Sequence, residues 1–312
     1  MSERILVTGA NGFVGRALCA TLGARGVAYT GAVRRDPGPH QVAIGDMDAG
    51  TDWRAALAGC SCVVHLAARV HVMDDGAADP LAAFRAVNVD ATLALARQAV
   101  AAGVRRFVFV SSIKVNGEAT QATPFRADQA PAPQDPYGVS KWEAEQALTA
   151  LGRDTGLEIV IVRPPLVYGP GVRANFLRLM QLARKGVPLP LASVDNRRSM
   201  VAVDNLADLL ALCCRHPAAA GQVLLAADGR DLSVAELLRL LAGAMGKRAP
   251  LFPMPVGLMR AGAALLGKGA VADRLLGSLQ VDAGPTRALL SWQAPLTVEQ
   301  GIARTVAHFL QQ

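Results

Sequence analysis

The heptapeptide Gly9-Ala10-Asn11-Gly12-Phe13-Val14-Gly15 constrains this chain more than any other feature. It follows directly on the apolar run 4–8, and a helical stretch over 13–25 begins inside it. Glycines at i, i+3 and i+6 between a strand and a helix have a specific physical reading. Gly9 permits the tight turn out of the strand. Gly12 lets backbone N–H groups approach a pyrophosphate, and Gly15 lets the helix pack close to the strand. The helix N-terminus then turns its positive end to the phosphates. Asn11, Phe13 and Val14 line the same turn and join the glycines as candidate cofactor contacts.

The chain beyond this turn repeats the strand–helix alternation. Apolar runs at 27–33, 41–45, 62–67, 107–111 and 158–162 read as strands. Helical spacing runs through 81–102 (Leu81, Phe84, Val87, Ala91, Leu95) and through 136–154. This order predicts a parallel sheet with helices on both faces, and near-continuous apolar strands fit burial on both sides. With 52% hydrophobic residues the chain can bury a large core, and with only 4% aromatics that core must be built from Ala, Val and Leu. After Arg163 the pattern changes. Pro164, Pro165, Gly169, Pro170 and Gly171 break regular structure, a helix is expected over 175–185, and 203–214 with 223–227 adds one more helix and strand. Beyond Asp228 the chain reads as mostly helical. The expected fold is therefore α/β, a Rossmann-type doubly wound parallel sheet with a smaller, mostly helical C-terminal substrate lobe. Residues 1–166 and 198–228 are assigned to the dinucleotide-binding part, and 167–197 with 229–312 to the lobe.

Composition excludes several alternatives. The longest apolar stretches fall far short of the roughly 20 residues a spanning helix needs. The start of the chain, with Glu3 and Arg4, shows no signal-peptide core. A cytoplasmic protein without membrane insertion is expected. Five cysteines without C-x-x-C spacing argue against a disulfide framework and against a metal site. Net charge is +7, yet Lys and Arg are scattered or paired rather than clustered in a run, so no nucleic-acid partner is expected.

Three further features carry chemistry. No Asp or Glu stands between Gly9 and Arg35, so the acid that usually holds the ribose 2′-OH of NAD is missing there. Arg34 and Arg35 stand in its place, a guanidinium pair suited to a 2′-phosphate, so NADP(H) is favoured with NAD(H) still open. Tyr137 and Lys141 share one helix face at i and i+4, where an ammonium favours phenolate and lets the phenol exchange a proton. Ser112 stands at the carboxyl end of the strand 107–111, the sheet edge where ligands of open α/β sheets bind.

Together these residues resemble the extended short-chain dehydrogenase/reductase family over nearly the whole chain. Gly9, Gly12 and Gly15 match its glycine signature, and Ser112, Tyr137 and Lys141 its catalytic triad. The resemblance implies that Leu66, Ala67 and Ala68, after His65, lie under the nicotinamide ribose and that Asp46 and Met47 contact adenine. It makes Pro164, at the turn into the lobe, a further cofactor contact. It implies diphosphate contacts for Arg198 and, more weakly, for Asn175 and Arg274, with Lys114 and Asn116 on the sugar. It therefore implies a UDP-sugar substrate and a homodimer built on 81–102 and 136–151.

The family hosts epimerases, dehydratases and ketoreductases. Dehydratases carry an adjacent acid and base, Thr-Asp-Glu, where this chain has Ser112-Ile113-Lys114, so elimination lacks its catalysts. The segments 111–118 and 131–137 are similar to bacterial surface-polysaccharide reductases acting on UDP-4-keto-6-deoxy-N-acetylglucosamine. With the arginine pair, this favours an NAD(P)H-dependent 4-ketoreductase in lipopolysaccharide biosynthesis. The alternative is a UDP-hexose or UDP-N-acetylhexosamine 4-epimerase holding NAD tightly.

Overall fold

A computed structural model describes residues 4–70 and 79–312; Glu3 lies outside the described residues. Seven parallel strands form the main sheet: β1 (Arg4–Thr8), β2 (Tyr29–Val33), β3 (Gln41–Ala43), β4 (Cys60–His65), β5 (Arg106–Val110), β6 (Glu158–Arg163) and, after two short strands placed elsewhere, β9 (Val223–Leu225). Their order is β3-β2-β1-β4-β5-β6-β9. The direction of winding reverses between β1 and β4, so the crevice for a ligand opens there, beyond the strands' carboxyl ends. The central strands β1, β4, β5 and β6 are buried on both faces, as their unbroken apolar runs require.

Helices cover both faces. On one lie α1 (Phe13–Ala24) and α7 (Val203–Cys213), packed on Ile5, Val7, Val64, Val108 and Val160. On the other lie the short α2 (Arg54–Leu57), α4 (Thr92–Ala101) and α5 (Pro136–Thr155), over Leu6, Val63, Phe107 and Phe109, with α3 (Pro80–Arg85) packed against α5. Cys60, Cys62, Cys213 and Cys214 are buried free thiols within these layers.

The expected single helix over 81–102 is in fact interrupted. Residues Ala86–Ala91 form a π-helical turn between α3 and α4. The extra residue per turn swings Asn88 inward, where it is 1% exposed. Two strands escaped the sequence reading: β7 (Leu166–Tyr168) and β8 (Met200–Ala202), which pair in parallel in a small second sheet. At three residues each, they are too short to show an alternation.

Beyond the sheet, α6 (Ala174–Lys185), α8 (Val234–Ala244) and α12 (Val298–Leu310) enclose a separate apolar core of Phe176, Met180, Leu237, Leu238, Leu241, Ile302 and Val306. Ser233 and Thr297 close capping boxes on α8 and α12. A helical pair, α9 (Val256–Leu265) and α10 (Gly269–Leu276), lies on this core, and α11 (Gly284–Leu290) returns toward the sheet. Among the described residues no helix is long and apolar enough to cross a membrane.

Candidate active site

The site is built upward from the end of β1. Gly9 sits at φ +64°, and a Cβ there would lie 3.0 Å from the Ala67 nitrogen. Gly15 is tighter still: its Cβ would fall 2.1 Å from the Gly9 carbonyl oxygen. Gly12 heads α1, and no side chain caps that helix. A helix N-terminus without a capping side chain, in a turn where backbone alone fills the space, fits a dinucleotide pyrophosphate. Asn11 is exposed, Phe13 and Val14 half-buried, and the Asn11 carbonyl accepts a hydrogen bond from Arg16 Nη1 at 3.0 Å.

The segment beside Gly9 is held by a polar lock. The Thr8 hydroxyl oxygen accepts the N–H groups of Leu66 and Ala67, at 3.0 and 3.1 Å. Its proton is then left for His65 Nδ1, 2.8 Å away. That fixes His65 as the Nε2–H tautomer, which donates to Thr92 Oγ1 at 2.9 Å. His65 is fully buried, and burial pushes its pKa down to about 3, helped by the charge on Lys141. It is a core histidine that fixes Leu66, Ala67 and Ala68 next to the glycine turn.

At the adenine end the fold adds a partner for the two arginines. Arg34 and Arg35 do follow β2, but a carboxylate reaches them from the end of β3. Asp46 lies 3.7 Å from Arg34 Nη1 and 3.9 Å from Arg35 Nη2, all three strongly exposed. A carboxylate thus stands beside the two arginines although none lies between Gly9 and Arg35 in the sequence. Met47 packs against the core under the sheet.

The catalytic candidates converge at the ends of β5 and α5. Ser112 caps a single 3-10 turn, its hydroxyl accepting the Lys114 N–H at 3.3 Å. Asp135 caps α5, and Lys114 Nζ forms ion pairs with both Asp135 and Glu118. A Cβ on Gly138 would lie 3.0 Å from the Lys114 carbonyl, so the Ser112 turn abuts the first turn of α5. Lys114, expected on the sugar, also clamps these two segments together. Tyr137 is half-buried, and burial, with Asp135 adding to it, pushes its pKa up to about 12. Lys141 is buried, donates to the Val110 carbonyl at 2.8 Å and sits 4.3 Å from the centre of the Phe109 ring. Burial pushes its pKa down to about 7. The expected lowering of the Tyr137 pKa is therefore not seen here: burial and the Asp135 carboxylate both raise it.

Residues that sequence reasoning passed over hold this arrangement. Arg163 and Glu145 form a bidentate ion pair at 2.9 and 2.5 Å, 2% and 1% exposed. Arg163 also donates to Asn116 Oδ1 at 3.0 Å, and Asn116 Nδ2 donates to the Arg126 carbonyl at 2.8 Å. Asn116 is 1% exposed with both amide ends engaged, so its expected sugar contact gives way to support of the strand-end turn. Pro164 is likewise buried, its carbonyl accepting the Ile113 N–H at 3.0 Å. Asn88, in the π turn, binds both backbone groups of Arg69 and donates to Ser140 Oγ at 3.0 Å. Among these supports the one sequence signal is Arg163, a charge that directly follows the apolar run 159–162.

On the lobe side Arg198 and Arg274 come together. Arg198 Nη1 donates to the carbonyls of Arg274 and Gly277, at 2.8 and 3.0 Å, and burial lowers its pKa. Asn175 is exposed in the first turn of α6. Backbone bridges from Thr120 to Ser278, from Phe125 to Val281 and from Leu279 to Arg198 join the segment after Asn116 to the arginine pair.

Three comparisons bear on this geometry. The model of the NAD dependent epimerase/dehydratase family matches residues 5–227. A UDP-glucose 4-epimerase of Vibrio cholerae is 46% identical over 100% of this chain and 97% of its own. An N-acetyl-alpha-D-glucosaminyl-diphospho-ditrans,octacis-undecaprenol 4-epimerase of Escherichia coli O157:H7 is 28% identical over 99% of this chain and 96% of its own. A solved structure, MoeE5 in complex with UDP-glucose and NAD, superposes with a TM-score of 0.78 at 26% identity and covers 99% of both chains.

Proposed function

We propose, from the premise that this chain belongs to the NAD dependent epimerase/dehydratase family, that it is a UDP-sugar 4-epimerase. The observation that carries this reading is the 46% identity to a UDP-glucose 4-epimerase along the full chain. It reverses the order of preference drawn from the sequence, where the reductase stood first. The weight of Arg34 and Arg35 falls because Asp46 stands within ion-pair reach of both.

A bound nicotinamide supplies the hydride chemistry at sugar C4. The chain's own groups handle the proton and the geometry. With its own proton passed to the neutral form of Lys141, Tyr137 takes the proton of the C4 hydroxyl and returns it to the C4 oxygen after the ketone has been re-presented. Ser112 orients that oxygen from the end of β5. A lysine whose pKa lies near 7 gives or accepts a proton at neutral pH, which makes Lys141 the reservoir for the phenol. Arg198 and Arg274 hold the diphosphate, for which a guanidinium is suited by its fork of donors.

The test is incubation with UDP-glucose and, separately, UDP-N-acetylglucosamine, with no nicotinamide nucleotide added. The expected outcome is growth of the 4-epimer's anomeric proton signal to equilibrium. One observation favours a second reading, a 4-ketoreductase: the two exposed guanidiniums at the β2 end suit NADPH. No interconversion, with NADPH consumed one-for-one against UDP-4-keto-6-deoxy-N-acetylglucosamine, overturns the epimerase and establishes the reductase. In that case Arg34→Glu narrows the preference for NADPH over NADH.

A further inference from the structure

Among the described residues the three most exposed large apolar side chains, with Val271, gather on α9, α10 and their connection; Val70, also 60% exposed, lies elsewhere. Leu265 is 90% exposed, Leu266 73%, Leu258 65% and Val271 60%. Helix α9 is apolar on two sides. Val256, Met259 and Ala263 turn toward the lobe core and are partly buried against it. Leu258 and Leu265, seven residues apart, fall on one stripe of the opposite side. Leu266 and Val271 continue that apolar surface around the connection into α10. Nothing in the fold requires this outer stripe to be apolar.

The charge around it has one sign. Between Glu236 and Asp273 the chain has no acidic residue and five basic ones: Arg239, Lys247, Arg248, Arg260 and Lys268. All five are exposed. Lys247 Nζ donates to the Arg184 carbonyl, which brings the end of α6, with Arg184 and Lys185, to the same rim. Two acids stand at the border: Asp273, 4.0 Å from Arg260, and the exposed Asp195, next to Asn196, whose amide donates to the Leu275 and Gly277 carbonyls at the end of α10.

We infer that the α9–α10 pair is a docking surface for an anionic lipid bilayer. Leu258, Leu265, Leu266 and Val271 enter the boundary between headgroups and acyl chains, and the lysines and arginines meet lipid phosphates. Charge complementarity selects this occupant. A second copy of the chain would bring the same basic rim against itself. A protein partner would favour Trp and Tyr anchors, and the stretch 237–272 holds neither; its single aromatic, Phe252, is 41% exposed. A helix of ten residues is about 15 Å long and cannot span a core of about 30 Å, so it lies in the interface.

Flotation of the full-length protein with vesicles tests the inference. One set is phosphatidylglycerol and phosphatidylethanolamine in equal parts; the other is phosphatidylcholine alone. The expected result is binding to the first set only, weakened by salt. Leu265→Glu with Leu266→Glu lowers the bound fraction about tenfold or more, with melting temperature and turnover of a soluble UDP-sugar unchanged. Lys268→Gln weakens it about fivefold. The pair Leu265→Ser and Leu266→Ser gives the same loss without adding charge. No flotation with either set overturns the inference, as does equal binding to phosphatidylcholine or full binding by the glutamate variant. A dimer in solution that Leu265→Glu with Leu266→Glu dissociates also overturns it, because a second copy then covers the stripe.

Discussion

The two halves of the site are built from different materials. Around the cofactor edge, buried polar atoms fix the geometry. Thr8, His65 and Thr92 join β1, β4 and α4, and Glu145, Arg163 and Asn116 join α5, β6 and the strand-end turn. Asn88 ties the π turn to α5 through Ser140. In the lobe, Leu237, Leu238, Leu241, Ile302 and Val306 pack as an aliphatic core, with the side chains of Asn196 and Arg198 tying α8 and the end of α10 to the segment 196–198 at its edge. Hydrogen bonds are directional and aliphatic contacts are not, so the first construction holds reacting groups in place while the second tolerates changes of shape. A reaction platform combined with an adaptable lobe suits a frame on which related chains handle different sugars.

The sharpest break of this comparison is Tyr137→Phe. Turnover should fall by about 10²- to 10⁴-fold, the share of a general acid–base group, with the melting temperature nearly unmoved. Full turnover in the phenylalanine variant would mean that the platform is not the reaction centre. Next in size is the buried ion pair. Arg163→Met leaves Glu145 charged and alone in the interior, and unfolding in urea should show a loss of about 3–5 kcal/mol. Adding Glu145→Gln should recover part of that loss. The lobe's exposed pair offers the contrast: Arg230→Ala, which frees Glu299, should change stability by about 1 kcal/mol or less. Equal effects at both pairs would erase the distinction between the regions.

The platform also makes a pH prediction. The folded pKa of His65 lies near 3 against an ordinary 6.5, so the unfolded chain binds the proton that the folded chain refuses. Stability is then full above pH 6.5 and falls as pH drops toward 3. Between pH 7 and pH 5 the loss from this group should be about 2 kcal/mol. His65→Gln should flatten that slope in denaturant titrations at the two pH values. An unchanged slope would show that the Thr8–His65–Thr92 lock does not stay neutral.

These groups also show what the sequence discloses and why. The glycine turn is legible because its demands are local: three positions where backbone needs the space of a side chain. The parallel sheet is legible because strands buried on two faces must be apolar throughout. The π turn is not, because Phe84, Val87, Ala91 and Leu95 keep helical spacing across it. Asp46 is adjacent to Arg34 and Arg35 only because β3 pairs with β2, a long-range fact that spacing along the chain does not carry. The family resemblance puts Asn116 on the sugar, whereas the buried guanidinium of Arg163 claims its amide oxygen. Sequence distance hides partners of this kind, and the missed supports of the site all have partners far away along the chain.

The smallest effect expected is the most diagnostic for the lobe. If its aliphatic residues divide into a packed interior and a bare outer stripe, Leu258→Ser removes little from the fold, since Leu258 is 65% exposed. The change in unfolding free energy should stay within about 0.5 kcal/mol, the ordinary range for surface substitutions. Buried leucines on the same lobe, such as Leu238 at 1% exposure, have no such latitude. A loss above about 1 kcal/mol at Leu258 would mean that the stripe is covered in the folded protein. The lobe would then owe part of its stability to a contact outside its own core. A near-zero change leaves the apolar stripe without a role in folding and assigns its composition to whatever the surface meets.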